Sequence, residues 1–244
     1  MRLPTCVSRT LCLIGLGFML SLHVASADDS PPVAASLTHA THADFKNEKA
    51  SVETRQTAHW IVNSRDNQNM PFAIVDKVNA RVFVFDARGK LSGAAAVLLG
   101  LAHGDDSTPG IGQRKLSAIR PEERTTPAGR FVASLDRDIR GVEMLWVDYD
   151  NAISLHRVVT TNASERRAQR LESATAADKR ISYGCINVPV KFYNNVVSPA
   201  FTGTNGVVYI LPETRSAREV FGSYDVDAPS SGRLSAQPAR VAVP

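Results

Sequence analysis

The chain has 244 residues, of which 43% are hydrophobic and 21% charged, and its formal net charge at pH 7 is +4. This is an ordinary globular composition, which allows one domain of moderate size with tails at its ends. So small a net charge excludes the strongly basic character expected of a nucleic-acid-binding protein.

The first 27 residues have the pattern of a secretion signal. Arg2 and Arg9 precede an apolar run at residues 11–22, and Ala25-Ser26-Ala27 follows that run. We predict cleavage after Ala27, and therefore a periplasmic or secreted protein. The apolar run is shorter than the roughly 20 residues of a membrane span, so we expect no transmembrane anchor after cleavage. Cleavage removes two arginines and no acids, which lowers the formal charge from +4 to +2.

Residues 28–70 are predicted to form a linker with one short helix. The part up to about residue 50 is rich in Ala, Ser, Thr, Pro and His and has no sustained periodicity. Residues 51–64 contain spaced apolar side chains and are the predicted helix.

Strands are predicted from residue 72 onwards, because β-branched or apolar runs alternate with turn-like segments. The predicted strands are 72–75, 81–86, 91–99, 131–135, 145–149, 152–156 and 207–211. Residues 102–112, rich in Gly, Asp and Pro, predict a long loop. A helix is predicted after Val188, because Pro189 lies near its first turn and apolar residues recur at spacings of three and four. Residues 214–244 are predicted to be a flexible tail.

Cys185 is the only cysteine outside the predicted signal segment, which contains Cys6 and Cys12. A single thiol cannot form an internal disulfide. Three interpretations remain: a catalytic nucleophile, an intermolecular bridge, or an inert buried side chain. Gly184, directly before it, has no Cβ and can adopt positive φ, which would let a substrate carbonyl approach the sulfur.

Three segments together resemble a known family. Ser182-Tyr183-Gly184-Cys185-Ile186-Asn187 is similar to the active-site signature of the YkuD-type L,D-transpeptidases, which are cell-wall cysteine acyltransferases. That signature is a His, followed some way on by Ser/Thr-His-Gly-Cys, an apolar residue, and Asn or Arg. Thr126-Pro127-Ala128-Gly129-Arg130-Phe131 resembles the family's Thr-Pro-x-Gly-x-Phe/Tyr segment, and His156 matches the upstream His. The resemblance covers roughly residues 72–212, and Tyr183 stands where the signature has its second His.

The resemblance implies a mainly β catalytic domain at residues 71–213. It would be a sandwich of two packed sheets with a helix after the catalytic Cys. Cys185 would attack a peptidoglycan stem peptide and form a thioester, with His156 as the base. The Gly184 and Cys185 N–H groups would stabilise the oxyanion. Carbapenems would be covalent inhibitors, and no cofactor or metal is expected.

The two polar residues next to Gly184 are also predicted to belong to the catalytic site. Ser182 is expected to make supporting hydrogen bonds. Tyr183 can donate a hydrogen bond but does not ionise near neutral pH, so it could keep the donation of the missing His and lose its proton transfer.

A basic segment lies between His156 and Ser182, which are separated by more residues than is usual in the family. Arg166, Arg167 and Arg170 are predicted on a short helix there. Arginine suits bidentate binding of carboxylates, which stem peptides carry. We predict that these three arginines and Asn187 bind substrate. The alternative interpretation is that the arginines form only a solvated face.

Several functions are compatible with these residues. The leading prediction is an L,D-transpeptidase that cross-links stem peptides or attaches a protein to them. One alternative is a carboxypeptidase or amidase on the same fold. Another is a non-catalytic wall-binding protein, because Tyr183 replaces a signature His. A papain-like protease is disfavoured, since there the Cys normally precedes its His in the chain.

Overall fold

The computed structural model describes residues 41–229. The predicted signal segment and its cleavage site, the first part of the predicted linker, and the end of the predicted tail lie outside these residues. Within residues 41–229, no helix is long and apolar enough to cross a membrane. The same part of the chain contains no group of three or more His, Cys, Asp or Glu side chains that could hold a metal ion.

The described chain is built mainly from strands. The strands are β1 (Phe72–Asp76), β2 (Arg81–Phe85), β3 (Leu91–Ala96), β4 (Leu99–Gly100), β5 (Gly129–Arg137), β6 (Glu143–Asp148), β7 (Ile153–Arg157), β8 (Arg180–Ser182), β9 (Ile186–Val188) and β10 (Gly206–Ile210). The helices are α1 (Val52–Ser64), α2 (Arg167–Glu172), α3 (Val190–Phe192), α4 (Ser198–Phe201) and α5 (Ala217–Phe221). A π-helical segment, Tyr193–Val197, joins α3 to α4, so the predicted helix after Cys185 is present.

Eight strands form one mixed sheet in the order β3-β2-β1-β10-β5-β6-β7-β9, and β4 pairs with β8 beside it. Strand β5 belongs to both halves of the large sheet. Its first part, Gly129–Ala133, pairs with β10, and its second part, Ser134–Arg137, pairs with β6. Side chains from both halves share one core, so the sheet folds over at β5 into two packed layers.

The shared core confirms the predicted mainly β sandwich. It contains Ala73, Val75, Val82 and Val84 from one half, Leu145, Leu155, Ile186 and Val188 from the other, and Tyr193, Val197 and Phe201 from the helix after Cys185. All are buried. Burial of apolar surface of this kind is the main favourable contribution to folding.

A second core covers the other face of β1 and β2. Phe72, Ile74, Phe83 and Phe85 pack there against Trp60 and Ile61 of α1. Helix α1 begins at the N-cap Ser51, whose hydroxyl accepts a hydrogen bond from the Thr54 N–H. Because both faces of β1 are buried, its first four residues are continuously apolar rather than alternating.

Parts of the predicted linker and tail pack onto this second core, which the sequence analysis did not anticipate. Phe45 is buried there, and the ring of Phe221 stacks on Trp60 with their centroids 6.3 Å apart. Helix α5 is stabilised by a capping box between Ser216 and Glu219. Within residues 41–229, therefore, the linker and tail segments contribute to the folded unit.

Predicted strand 91–99 is divided in the structure. Strand β3 ends at Ala96, and Leu98 then pairs with Asn187 through two backbone hydrogen bonds of 2.8 and 2.9 Å. The chain crosses here from one layer to the other, so the strand that follows the crossing is β4.

A buried lysine joins three distant segments. The Lys77 ammonium group donates to Asp105 Oδ1 at 2.8 Å, to the Gly104 carbonyl at 2.6 Å and to the Thr126 carbonyl at 3.0 Å. Burial alone would raise the pKa of Asp105, but hydrogen bonds from Lys77, Thr214 and nearby backbone N–H groups lower it well below its usual range. The Lys77–Asp105 pair therefore fixes the long loop against the segment that carries Thr126.

We expect Lys77→Met to destabilise the protein by about 3–5 kcal/mol, because Asp105 would keep its charge in a buried site without its nearest cation. The free energy of unfolding should be measured by urea denaturation at pH 7. Arg140→Met is the control, since Arg140 pairs with Asp138 at the surface and such pairs contribute roughly 0–1 kcal/mol. Equal losses in the two variants would contradict this prediction.

Candidate active site

The parallel pairing of β7 with β9 brings His156 and Cys185 together. In this register Leu155 lies beside Ile186 and His156 beside Asn187, and Cys185 comes directly before β9. Successive side chains of a strand point to opposite faces. Leu155 and Ile186 enter the shared core, so His156 lies on the opposite face, where it meets the thiol.

Cys185 and His156 shift each other's pKa in opposite directions. Burial raises the pKa of the Cys185 thiol, but the hydrogen bond and the charge interaction with His156 outweigh burial and lower it. Burial lowers the pKa of His156, but the interactions with Cys185 outweigh it and raise that pKa. Both shifts favour a thiolate beside an imidazolium, which is the reactive form of a cysteine nucleophile.

A backbone carbonyl orients the imidazole of His156. Its Nδ1 lies 2.8 Å from the Arg157 carbonyl oxygen, so Nδ1–H donates there and Nε2 is directed to the thiol. The sequence offered no side chain for this task, since the Arg157 guanidinium cannot accept a hydrogen bond. Every residue has a carbonyl group, so no pattern of residue types could have revealed this partner.

Ser154 is a site residue that the sequence analysis missed. Its hydroxyl donates to the Cys185 sulfur at 3.6 Å, and the side chain is buried. Ser154 precedes His156 by two residues on β7, so both side chains lie on the same face. Strand alternation was therefore the signal that could have found it. The hydrogen bond from Ser154 contributes to the lowered pKa of Cys185.

Ser182 holds the turn that carries the nucleophile. Its hydroxyl donates to the Cys185 carbonyl at 2.6 Å and accepts a hydrogen bond from the Gly184 N–H at 3.1 Å. The predicted oxyanion pair needs correction, because the Gly184 N–H is already used by Ser182. Among the described residues the Cys185 N–H has no partner, so it is the N–H of this turn that is free to donate.

The segment that contains Thr125 and Thr126 also supports the turn before Cys185. The Thr126 hydroxyl donates to the Gly184 carbonyl at 2.8 Å and accepts from the Gly100 N–H at 2.8 Å. Gly184 has φ +130°, and a Cβ at this position would lie 2.8 Å from the Thr125 carbonyl oxygen and 2.8 Å from Ile153 Cδ1. Only glycine fits here without a backbone shift.

Asn187 and Arg167, both predicted to bind substrate, are directed into the protein. Asn187 is fully buried, and its Nδ2 donates to the Cys185 carbonyl at 3.2 Å. Its Oδ1 accepts from Arg167 Nη1 at 2.8 Å. These contacts hold the backbone of Cys185, and the binding of substrate by Asn187 and Arg167 stays a prediction. Arg167 is also close enough to His156 to lower its pKa in part.

Arg166 and Arg170 lie in the basic insertion, away from the thiol. Arg170 donates to the carbonyls of Glu165 and Asp178, which fastens α2 to the following segment. Arg166 is exposed and lines a surface cavity of about 270 Å³ together with Arg170 and Asp178. Within residues 41–229 neither arginine contacts Cys185 or His156. Their predicted binding of substrate stays a prediction.

Tyr183 packs against an arginine that the sequence analysis did not consider. The Cζ atom of Arg124 lies 4.0 Å from the centroid of the Tyr183 ring. Arg124 is held there by the Ile119 carbonyl, to which its Nη2 donates at 3.2 Å. The position of the second His in the family signature is thus filled by an aromatic ring with a cation on its face.

Comparison with known proteins finds similarity in structure only. No protein-family profile and no curated protein sequence matches the chain. The catalytic domain of the E. faecium L,D-transpeptidase is 15% identical, with 59% of this chain and 98% of that chain covered, at a TM-score of 0.36. The Ldtfm–avibactam carbamoyl enzyme is also 15% identical, at a TM-score of 0.35. The match covers 59% of this chain and 49% of that chain, so it spans about half of that chain.

An L,D-transpeptidase from Stackebrandtia nassauensis is 15% identical, with 67% of this chain and 68% of that chain covered, at a TM-score of 0.34. These structures are of the family that the segment from Ser182 to Asn187 resembles. With TM-scores below 0.5, the superpositions do not assign a function, so the function must be argued from the chain's own residues.

We expect Ser154→Ala to raise the pKa of Cys185, since one hydrogen bond to the thiolate is lost. The measurement is the pH dependence of iodoacetamide alkylation, followed on the Cys185 peptide by mass spectrometry. Below the thiol pKa the rate falls, so the inflection should move to higher pH. His156→Gln should move it further. Ser134→Ala, an exposed serine on β5, should leave it unchanged; an unshifted inflection in Ser154→Ala would refute this role.

Gly184→Ala should abolish Cys185 alkylation at neutral pH and lower stability, because the added Cβ meets the Thr125 carbonyl oxygen. Gly203→Ala is the matched control: Gly203 also has positive φ, +75°, but no atom lies within 4 Å of its added Cβ. We expect the control to lose only about 1 kcal/mol through backbone strain. Similar unfolding free energies and alkylation rates in both variants would show that the close contact is unimportant.

Proposed function

We propose that the chain is a cysteine acyltransferase of the L,D-transpeptidase type, which acts on peptidoglycan stem peptides through a Cys185 thioester. The observation that carries this proposal is the Cys185–His156 pair, with the imidazole oriented by the Arg157 carbonyl. A half-buried pair of this kind has the features required of an activated thiol nucleophile.

In the first half-reaction the Cys185 thiolate attacks the carbonyl carbon of the scissile peptide. The carbonyl oxygen becomes an oxyanion that accepts a hydrogen bond from the Cys185 N–H, an interaction worth roughly 3–4 kcal/mol of barrier. The intermediate collapses as the C–N bond breaks, and the His156 imidazolium protonates the leaving amine. The products are a thioester on Cys185 and a free amine; by resemblance, the leaving residue is D-Ala.

In the second half-reaction neutral His156 removes a proton from the acceptor, which attacks the thioester carbonyl. Collapse of this intermediate breaks the C–S bond and releases the Cys185 thiolate beside the imidazolium that formed when His156 took the proton. An amine on a second stem peptide gives a cross-link, an amine on a protein gives an attachment, and water gives net removal of one residue. The acceptor therefore decides between the transpeptidase and the carboxypeptidase.

Cell-wall stem peptides lie outside the cytoplasm, so the proposal includes a secreted or periplasmic location. It is supported by the signal-like pattern of residues 1–27. A lone reactive thiol also suits an oxidising compartment, where a second nearby cysteine would tend to form a disulfide with it.

The hydrogen bonds around Cys185 favour an enzyme over a non-catalytic wall-binding protein. Ser154 donates to the sulfur, and Ser182 and Asn187 both donate to the Cys185 carbonyl. A module that only binds has no need for a thiol with a lowered pKa or for a fixed backbone at that residue.

We expect a tetrapeptide muropeptide to lose its terminal D-Ala, and a meropenem-type carbapenem to add covalently to the protein. Intact-mass spectrometry measures the adduct, and chromatography of the products separates cross-linked dimers from trimmed tripeptides. Both reactions should disappear in Cys185→Ala and fall at least about 100-fold in His156→Gln, in line with the usual contribution of a general base.

The control for folding is the urea midpoint, which should be close to that of the wild type in Cys185→Ala. A folded wild-type protein that forms no adduct and releases no D-Ala would refute the proposal that the chain is an enzyme. In that case the wall-binding alternative would be tested by equilibrium binding to intact sacculi.

A further inference from the structure

Arg124 is a cation beside the turn that carries Cys185, and no acidic side chain in residues 41–229 neutralises it. Among the described residues its guanidinium pairs with no carboxylate. The adjacent carboxylate, Glu123, is occupied by other arginines: Arg114 Nη2 lies 2.8 Å from it, and Arg120 Nε lies 3.3 Å from it. The loop thus neutralises two of its arginines and leaves the third available.

The segment that contains Arg124 runs directly along the catalytic turn. Arg124 covers Tyr183, the Thr125 carbonyl closely approaches Gly184, and the Thr126 hydroxyl donates to the Gly184 carbonyl. Three successive residues of one segment therefore contact two successive residues before the nucleophile. Arg124 is part of the wall of the active site.

The Arg124 guanidinium is held in place, but within the described residues not all of its N–H groups have a hydrogen-bond partner. Its Nε and Nη2 both donate to the Ile119 carbonyl, at 3.4 and 3.2 Å, and its plane is supported by the Tyr183 ring. Nη1 has no partner in residues 41–229. A guanidinium pre-organised on an aromatic face loses little entropy when it binds an anion, and its planar donors match the geometry of a carboxylate.

We propose that Arg124 determines the specificity of the active site by binding a carboxylate of the acyl donor, with Tyr183 as its platform. This inference rests on the proposed function. It also gives a reason for Tyr183: a neutral ring attracts a guanidinium, whereas a protonated imidazole at position 183 would repel it. The positive charge available to the substrate lies on residue 124 instead of residue 183.

Two groups of a stem peptide could supply this carboxylate: the terminus of the leaving residue, or the side chain of the diamino acid at the scissile bond. The test uses three tetrapeptide donors of the same sequence, which are the free acid, the terminal amide, and the side-chain amide. Release of the terminal residue is measured as kcat and KM for the wild type, Arg124→Gln, Arg124→Lys and Arg88→Gln. Arg88 is an exposed arginine in the β2–β3 turn and controls for the loss of one charge.

We expect the wild type and Arg88→Gln to prefer the free acid over one of the amides by about tenfold or more in kcat/KM, the scale of a charge-assisted hydrogen bond. Arg124→Gln should abolish this preference by raising the KM for the acid to about the KM for that amide. Arg124→Lys should keep part of it. Tyr183→Phe should retain the preference and Tyr183→Ala should lose it, because only the ring is needed as a platform.

Retention of the wild-type preference in Arg124→Gln against both amides would overturn the inference. The same comparison can be made by calorimetric binding of the three peptides to Cys185→Ala, with and without Arg124→Gln. This measurement does not require turnover. If the wild type has no activity but Cys185→Ala still binds the acid through Arg124, the proposed function is refuted and the inference is supported. Equal binding of the acid and the amides by Cys185→Ala would refute the inference.

Discussion

The parallel register between β7 and β9 is the constraint on which the candidate active site depends. It places Leu155 beside Ile186 in the core and His156 beside Asn187 on the opposite face. Because these apolar side chains are fully buried, a slip of one residue would expose them to water and move the imidazole away from the thiol. The free energy of the core is therefore also what keeps the Cys185 thiol and the His156 imidazole in contact.

Backbone hydrogen bonds then fix the turn that this register brings into place. Thr126 holds the Gly184 carbonyl from one side, while Ser182 and Asn187 hold the Cys185 carbonyl from the other. Thr126 is in turn held by Lys77, whose ammonium group binds its carbonyl. A turn restrained from several directions needs little rearrangement when charge develops on the substrate, which is the advantage of a pre-organised site.

The charges of the site follow from the same arrangement. The imidazolium of His156 favours the thiolate, and Arg167 limits how far the His156 pKa rises. Arg124 adds a cation on the far side of the turn, above Tyr183. The Cys185–His156 pair thus has two cations near it, Arg167 bonded to Asn187 and Arg124 on the Tyr183 ring.

Local residue patterns were enough to predict most of the strands, the helix after Cys185 and the pairing of Cys185 with His156, because each depends on neighbouring residues or on a short motif. They did not predict Ser154, the Arg157 carbonyl or Arg124, nor that Asn187 and Arg167 are directed inward. These features depend on which strands pair, on backbone groups that every residue has, and on contacts between segments far apart in the chain. The residue types of the site were thus determined by the sequence itself, whereas their partners were decided by long-range strand pairing and burial, which only the tertiary structure brings about.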